Sequence, residues 1–284
     1  MIKITDTFSL VKNLYNSGTF NLERWKEYAD GIHFGLADML LSDMNEYIAT
    51  GKYTFEKDFL PIINNVCTNN KLGTLHDSFV KVTDNLNQKV VCRFGKELDV
   101  HIILYLGLCN AAGWVTSLSG RVTVLLGVEK ILELNWQDIN SMRGLIYHEL
   151  GHVYQMQHGI LERESSDSRS NFVWQLFTEG VAMYFEQALV GDLNYYHQDI
   201  NGWNDWCREH LPQIKRDFNS DLDSMTQFNQ RYFGDWCDYC GKGDVGYYLG
   251  AEFVHHLLKT HSFDDMINYD IEKVYELYCE FTAL

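Results

Sequence analysis

The chain has 284 residues, of which 46% are hydrophobic and 14% aromatic, and it contains only 2 prolines. This composition is typical of a globular protein and argues against a disordered or fibrous chain. The formal net charge of −16 disfavours binding to nucleic acid or to an anionic membrane surface, because phosphate contacts require clustered lysine and arginine side chains.

Export and membrane insertion are not expected. Residues 1–20 mix acidic and polar side chains with apolar ones and lack the basic segment and unbroken apolar run of a secretory signal. The longest apolar runs, 101–109 and 122–128, are far shorter than the roughly 20 residues that cross a bilayer as a helix. The cysteines are an odd and scattered set of 7, which favours reduced thiols over a disulfide framework. We therefore expect a cytoplasmic protein.

The first part of the chain predicts helices. Apolar residues recur at three- and four-residue spacing in segments 23–49, 55–67 and 75–91, which places them on one face of a helix. We therefore expect residues 1–95 to form a helical N-terminal region.

Short β-rich runs follow, separated by Asn, Gly and Ser residues. They span residues 98–108, 113–118 and 121–128, and their length and composition indicate strands of a small mixed or antiparallel sheet. Residues 96–284 are expected to form a second domain that begins with this sheet.

Helical periodicity returns in residues 135–159 and 171–191. Asn135 or Asp138 can cap the start of the first of these helices, and Gly159 follows its last periodic residue. The polar stretch between the two helices is expected to be a loop, and the rest of the chain is expected to be helical.

Two histidines on the first of these helices are spaced for metal binding. His148 and His152 are four residues apart, which places them on one face of a helix, roughly 6 Å apart along its axis. At that separation both imidazoles can reach one zinc ion at about 2.1 Å. Glu149 lies beside the same face, where it can take a proton from a zinc-activated water. The alternative is a helix whose histidines are surface or hydrogen-bonded residues.

A catalytic zinc needs a third protein ligand, and Glu179 on the second helix can supply it. This carboxylate lies in an otherwise apolar stretch, where an acid without a partner is costly to bury. The neighbouring Gly180 would allow close approach to the first helix. The alternative is an exposed acid on a polar helix face. Glu186, about two turns along, is the next candidate for a ligand or an outer-shell partner.

The two segments together resemble the zinc core of the gluzincins, the clan of zinc peptidases with two histidines and a downstream glutamate. The similar residues are 148–152 and 178–184, and the second segment is close to the Asn-Glu-Gly-x-Ala-x-Tyr segment of the membrane alanyl aminopeptidase family. The resemblance implies that His148, His152 and Glu179 bind zinc and that Glu149 is the general base.

Gluzincins of the aminopeptidase type also carry a Tyr-x-x-Gly segment at the start of a later helix, whose tyrosine stabilises the oxyanion. Tyr247 and Gly250 match that spacing, and Tyr248 is the alternative if the register differs. The other interpretation of Tyr247 is an aromatic anchor at the start of a helix. Residues 109–114 lack the glutamate with which aminopeptidases hold the substrate amino group, so the resemblance implies a peptidase rather than an aminopeptidase in particular.

We therefore expect an α+β, mostly helical zincin in which a small mixed or antiparallel sheet packs on the helix that carries His148 and His152. The expected cofactor is Zn²⁺, and the expected reaction is hydrolysis of peptide bonds in a peptide or protein substrate. A non-catalytic zincin-fold protein that binds peptides or regulates a partner is the alternative, which the presence of Glu149 disfavours. Cys237 and Cys240 form a C-x-x-C pair, which is more typical of a plain loop than of a metal or redox site.

Overall fold

The structure is a computed structural model that describes residues 1–234 and 236–283. These residues are mostly helical and contain a four-stranded sheet and a two-stranded hairpin. The predicted α+β class with a small mixed sheet is therefore confirmed. The chain divides into two units, residues 1–146 and the residues from Tyr147 onward, whereas the sequence placed the domain boundary near residue 95.

The sheet of the first unit is mixed. The strands of this unit are β1 Ile2–Asp6, β2 Tyr15–Asn16, β3 Thr19–Phe20, β4 Val100–Tyr105, β5 Gly113–Leu118 and β6 Arg121–Gly127. β2 pairs with β3, and the other four form a sheet of order β1–β4–β6–β5. β4 is parallel to β1 and β6, whereas β5 is antiparallel to β6. The central strands β4 and β6 are mostly buried, which is typical of parallel strands.

The hairpin between β5 and β6 turns at Ser119 and Gly120. Both residues have positive φ, 49° and 76°, as a two-residue type I′ turn requires. β4, β5 and β6 lie within the three predicted strand segments, whereas the sequence pattern did not predict β1. The apolar signal of β1 is weak because none of its residues is fully buried.

The helices of the first unit are shorter than the apolar pattern predicts. The predicted helix over 23–49 is two helices because Gly35 has a φ of 83°, and the one over 75–91 is two because Asn85 has a φ of 55°. Left-handed residues interrupt a right-handed helix although the apolar periodicity continues past them. The helices are α1 Phe8–Val11, α2 Leu22–Ile32, α3 Leu36–Ala49, α4 Leu60–Thr68, α5 Leu72–Thr83, α6 Leu86–Phe94 and α7 Val128–Glu133, with a 3₁₀ turn at Lys12–Leu14 and a π-helical turn at Phe55–Phe59.

A buried acid in the first unit holds the segment that follows β4. Glu129 is only 1% exposed, and its carboxylate accepts hydrogen bonds from the backbone N–H groups of Gly107, at 2.8 Å, and Cys109, at 3.0 Å. A Cβ atom on Gly107 would lie 2.5 Å from Glu129 Oε1. Glu129 therefore satisfies backbone donors that burial would otherwise leave unpaired.

The helix that carries the two candidate histidines is α8, Ile139–His158, which begins in the first unit and ends in the second. The side chain of Asp138 accepts hydrogen bonds from the backbone N–H groups of Asn140 and Ser141, so Asp138 rather than Asn135 caps this helix. Gly159 follows its last residue, as predicted.

The second unit is built from helices. They are α9 Ser168–Val190, α10 Trp203–Asp221, α11 Val245–Leu257, α12 Phe263–Met266 and α13 Ile271–Ala283, together with the end of α8. Asp167 caps α9 through its side chain, and Gly191 ends it with a φ of 86°. Within the described residues, no helix combines the length and apolar character that a membrane span needs.

Candidate metal centre

The structure brings His148, His152 and Glu179 together at one point in the second unit. The Nε2 atoms of His148 and His152 lie 3.1 Å and 3.3 Å from Glu179 Oε2. One possible ligand atom from each of the three residues lies within 4.8 Å of the other two. Because the two imidazoles belong to successive turns of α8, they present their Nε2 atoms to the same carboxylate oxygen of α9.

Burial and the neighbouring imidazoles have opposite effects on the pKa of Glu179. Burial alone would raise the pKa of this carboxyl group, but the neighbouring imidazoles of His152 and His148 hold it well below its usual range. Burial lowers the pKa of His152, and the Glu179 carboxylate more than compensates, so that this pKa is raised overall. Glu179 is therefore an anionic ligand candidate that faces two imidazole nitrogens.

Close helix contacts set the position of these side chains. A Cβ atom on Gly151 would lie 2.6 Å from the Cα atom of Ala182, so α8 and α9 approach each other at Gly151. From the sequence we predicted that Gly180 allows the close approach of α8 and α9, and this prediction was wrong. A Cβ atom on Gly180 would lie 2.2 Å from the carbonyl oxygen of Gly250. Gly180 therefore lies at the crossing of α9 with α11, and Gly151 lies at the crossing of α8 with α9.

Glu149 lies next to the histidines on α8 and is buried, with 7% of its surface exposed. Burial raises its pKa to about 7, and the carboxylates of Glu179 and Glu186 add to the rise, while His152 and His197 oppose it. A carboxyl group with a pKa near neutrality can both accept and release a proton at neutral pH. This environment matches what a general base requires.

The two candidate tyrosines of α11 have different surroundings. The ring of Tyr247 lies beside the metal-ligand candidates, with its centroid 5.5 Å from that of His148. Tyr248 is buried and packs against Tyr196 and Trp203, with centroids 5.2 Å and 6.0 Å away. The geometry therefore favours Tyr247 over Tyr248 as a group that acts at the site.

Glu186 lies beside His148 and is not one of the three candidate ligands. It is fully buried, and its Oε2 atom lies 3.6 Å from Nδ1 of His148, on the far side of that ring from Glu179. The same carboxylate accepts hydrogen bonds from the backbone N–H of His197, at 3.1 Å, and pairs with Nδ1 of His197 at 2.9 Å. Burial raises the pKa of Glu186 to about 7, and burial lowers the pKa of His197 to about 3.

Sequence reasoning missed His197. It lies 11 residues from Glu186, in the segment between α9 and α10, which is not helical although the sequence pattern predicted helix for the rest of the chain. Its only signal was the residue type, since a histidine near a predicted zinc site is a candidate partner for an outer-shell carboxylate.

The three residues fit a zinc ion. Two imidazoles and one carboxylate form the ligand set of many catalytic zinc sites, in which a fourth position stays open. His148 Nδ1 is buried and, among the described residues, has no hydrogen-bond partner within normal distance. A histidine that binds a metal through Nε2 carries its proton on Nδ1 and donates it to a carboxylate, a backbone carbonyl or a water. Glu186 places a carboxylate oxygen 3.6 Å from Nδ1 of His148.

The two cysteines of the C-x-x-C pair are not part of the candidate metal centre. Cys237 and Cys240 form no disulfide bond, and the Sγ atom of Cys237 lies 3.0 Å from the carbonyl oxygen of Phe233. Cys240 is exposed. Neither belongs to the group formed by His148, His152 and Glu179.

Comparisons with known proteins identify no family for this chain. No protein-family model matches the chain, and neither the comparison with curated proteins nor the comparison with solved structures found a match.

Proposed function

We propose that the protein is a zinc-dependent hydrolase that cleaves peptide bonds in a peptide or protein substrate. The observation that carries this proposal is the convergence of both Nε2 atoms, of His148 and His152, on one carboxylate oxygen of Glu179. The burial of Glu149 next to them supports a catalytic rather than a structural site. The resemblance of these segments to the gluzincin zinc core supports the same function.

His148, His152 and Glu179 would hold the metal. Zinc suits two imidazoles and a carboxylate better than a hard cation such as Mg²⁺ or Ca²⁺, which prefers oxygen ligands. When bound, zinc supplies Lewis-acid chemistry, which polarises a carbonyl group and makes water more acidic.

The side chains of Glu149 and Tyr247 would transfer the proton of the attacking water and stabilise the negative charge on the carbonyl oxygen. The Glu149 carboxylate would take a proton from the attacking water and pass it to the leaving nitrogen, as its pKa of about 7 allows. The Tyr247 hydroxyl would donate a hydrogen bond to the oxyanion that forms on the carbonyl oxygen. We also propose a cytoplasmic location, because an odd number of cysteines that form no disulfide bond within the described residues suits a reducing compartment.

The first experiment measures metal content. Wild-type protein and the Glu179→Ala variant are purified without chelator, supplied with zinc and analysed by mass spectrometry of their metals. Stoichiometric zinc in the wild type that is lost or much weakened in Glu179→Ala would support the site. Glu276→Ala is the matched control, since Glu276 is 61% exposed and pairs with Lys273. Wild-type protein without bound zinc would contradict the proposal.

A second experiment separates catalysis from metal binding. Glu149→Gln keeps the size of the side chain and removes its basicity, so the variant should retain zinc and lose hydrolysis of a peptide library. A wild-type protein that binds zinc and cleaves no peptide would support the non-catalytic alternative.

A further inference from the structure

A buried carboxylate in the second unit lies between two histidines. Glu186 Oε2 lies 2.9 Å from Nδ1 of His197 and 3.6 Å from Nδ1 of His148. Its other oxygen accepts a hydrogen bond from the backbone N–H of His197 at 3.1 Å. One residue, His197, therefore contacts both oxygens of the carboxylate.

We propose that His197 is a positioning residue for zinc: it holds the Glu186 carboxylate so that Oε2 faces His148 Nδ1 and leaves His148 Nε2 free to bind the metal. This inference rests on the proposed function, because it assumes that zinc binds at His148, His152 and Glu179. His197 touches neither zinc nor substrate in this proposal, and it acts only through Glu186.

The tautomer of each histidine follows from its contacts. In its ionised form Glu186 only accepts hydrogen bonds, so Nδ1 of His197, which lies 2.9 Å from Glu186 Oε2, then donates its proton to that oxygen. His148 can bind a metal through Nε2 only when its proton is on Nδ1. The acceptor nearest to that proton is Glu186 Oε2, at 3.6 Å from Nδ1. Glu186 therefore directs Nε2 of His148 toward the metal, and His197 fixes Glu186.

Clamping of both oxygens matters because a glutamate side chain is flexible. Without His197, Glu186 would keep the rotational freedom of its carboxylate group, and its Oε2 atom would face His148 for only part of the time. Two donors from one residue limit this rotation, since the backbone N–H and the imidazole reach different oxygens.

The segment that carries His197 is itself held in place. Tyr196 is buried and packs against Trp203 and Tyr248, with ring centroids 5.7 Å and 5.2 Å away. Asn204 donates hydrogen bonds from its side chain to the carbonyl oxygen of Asn194 and from its backbone N–H to Asp199. Both ends of this segment are therefore fixed to α10, which makes His197 a rigid donor.

The test measures zinc affinity, by competition with a chromogenic chelator, for three substitutions of His197. His197→Ala removes the side-chain donor and keeps the backbone one, and it should weaken zinc binding about tenfold or more, the usual effect of losing an outer-shell partner. In His197→Asn the amide nitrogen takes the place of Nδ1, because both atoms are bonded to Cγ, and affinity should return toward that of the wild type. His197→Gln places its amide one bond farther out and should bind zinc as weakly as His197→Ala.

His255→Ala is the matched control. Nε2 of His255 lies 2.7 Å from Oε1 of Gln187, the residue after Glu186, so its loss removes a histidine contact to α9 without touching the carboxylate. Zinc affinity of this control should equal that of the wild type. Visible absorption of the cobalt-loaded proteins provides a second readout, since it reports the geometry of the ligands rather than the stability of the fold.

The outcomes separate this inference from the proposed function. Wild-type protein that binds no zinc would contradict the proposed function itself. If the wild type binds zinc and His197→Ala binds it as tightly as the His255→Ala control does, the positioning role is overturned while the proposed function stands. If His197→Ala does not fold, the comparison of His197→Asn with His197→Gln decides, and equal zinc affinities for these two would overturn the role.

Discussion

A Cβ atom on Gly180 would lie 2.2 Å from the carbonyl oxygen of Gly250, and one on Gly250 would lie 2.5 Å from the carbonyl oxygen of Leu176. Each glycine therefore lies against the backbone of the other helix. Glu179 precedes the first glycine and Tyr247 lies one turn before the second, so this contact sets the distance between a proposed zinc ligand and the proposed oxyanion donor.

Gly180→Ala should destabilise the second unit. The added methyl group would meet backbone atoms that cannot rotate away, so α9 and α11 would have to separate, at a cost of about 1–3 kcal/mol in the free energy of unfolding. Urea unfolding measures this cost. Gly73→Ala is the control, since Gly73 lies inside α5 with open space around its Cβ position, and there alanine should stabilise the protein by up to about 1 kcal/mol. Equal stability for the two variants would contradict the close contact.

Tyr247→Phe should lower kcat for peptide hydrolysis by about 100-fold, the usual effect of losing one oxyanion donor. The ring beside His148 is retained, so zinc affinity should stay unchanged. Tyr248→Phe serves as the comparison, because Tyr248 is buried among Tyr196 and Trp203, and its kcat should remain close to that of the wild type. Steady-state kinetics on one cleaved peptide decide between the two tyrosines, and a larger loss for Tyr248→Phe would reverse the assignment.

Zinc should raise the unfolding temperature of the wild type and leave that of Glu179→Ala unchanged. A ligand that binds only the folded state stabilises it by about 2.7 kcal/mol at a concentration 100 times its dissociation constant. Calorimetry with and without zinc, after removal of metal by a chelator, measures the difference. An equal zinc-dependent shift in both proteins would place the bound ion elsewhere on the chain.

Glu129 should make the stability of the protein depend on pH. Burial raises the pKa of this carboxyl group to about 7, above its usual value near 4.3. Between these two values the folded state binds more protons than the unfolded state, so the contribution of Glu129 to stability falls as pH rises through this range. Glu129→Gln should therefore lose less stability between pH 5 and pH 7 than the wild type, which urea unfolding at the two pH values measures.

The control for this pH effect is Glu56→Gln, a substitution of an exposed acid in the same unit. It should keep the wild-type difference in stability between the two pH values. A Glu129→Gln protein with that same difference would show that Glu129 does not carry the effect.

Local signals in the sequence predicted the helices of the candidate site well. α8 has a capping aspartate, Asp138, a regular apolar pattern and a terminal Gly159, and all of these act within a few residues of the chain. The spacing of His148 and His152 follows from helix geometry alone, so the sequence was sufficient to place both imidazoles on one face.

Features that depend on tertiary contacts were not predictable in the same way. The partner of Gly180 is Gly250, 70 positions away in sequence, and no periodicity identifies which helix a glycine faces. His197 meets Glu186 because the segment after α9 returns to this helix, which apolar patterns do not encode. The breaks at Gly35 and Asn85 depend on backbone conformation, and the apolar periodicity on either side of them continues.

The contact of Gly151 with Ala182 limits how residues 148–152, the proposed zinc-binding segment of α8, could be reused in another protein. Leu150 is fully buried, and a Cβ atom on Gly151 would lie 2.6 Å from the backbone of Ala182. A designer who grafted residues 148–152 onto a helix of another protein would therefore transfer the two imidazoles without Ala182, the small residue that faces Gly151. The unit that could be transferred is the pair of helices α8 and α9 with Ala182 at their crossing. A bulkier residue at that position would hold Glu179 too far from His148 and His152.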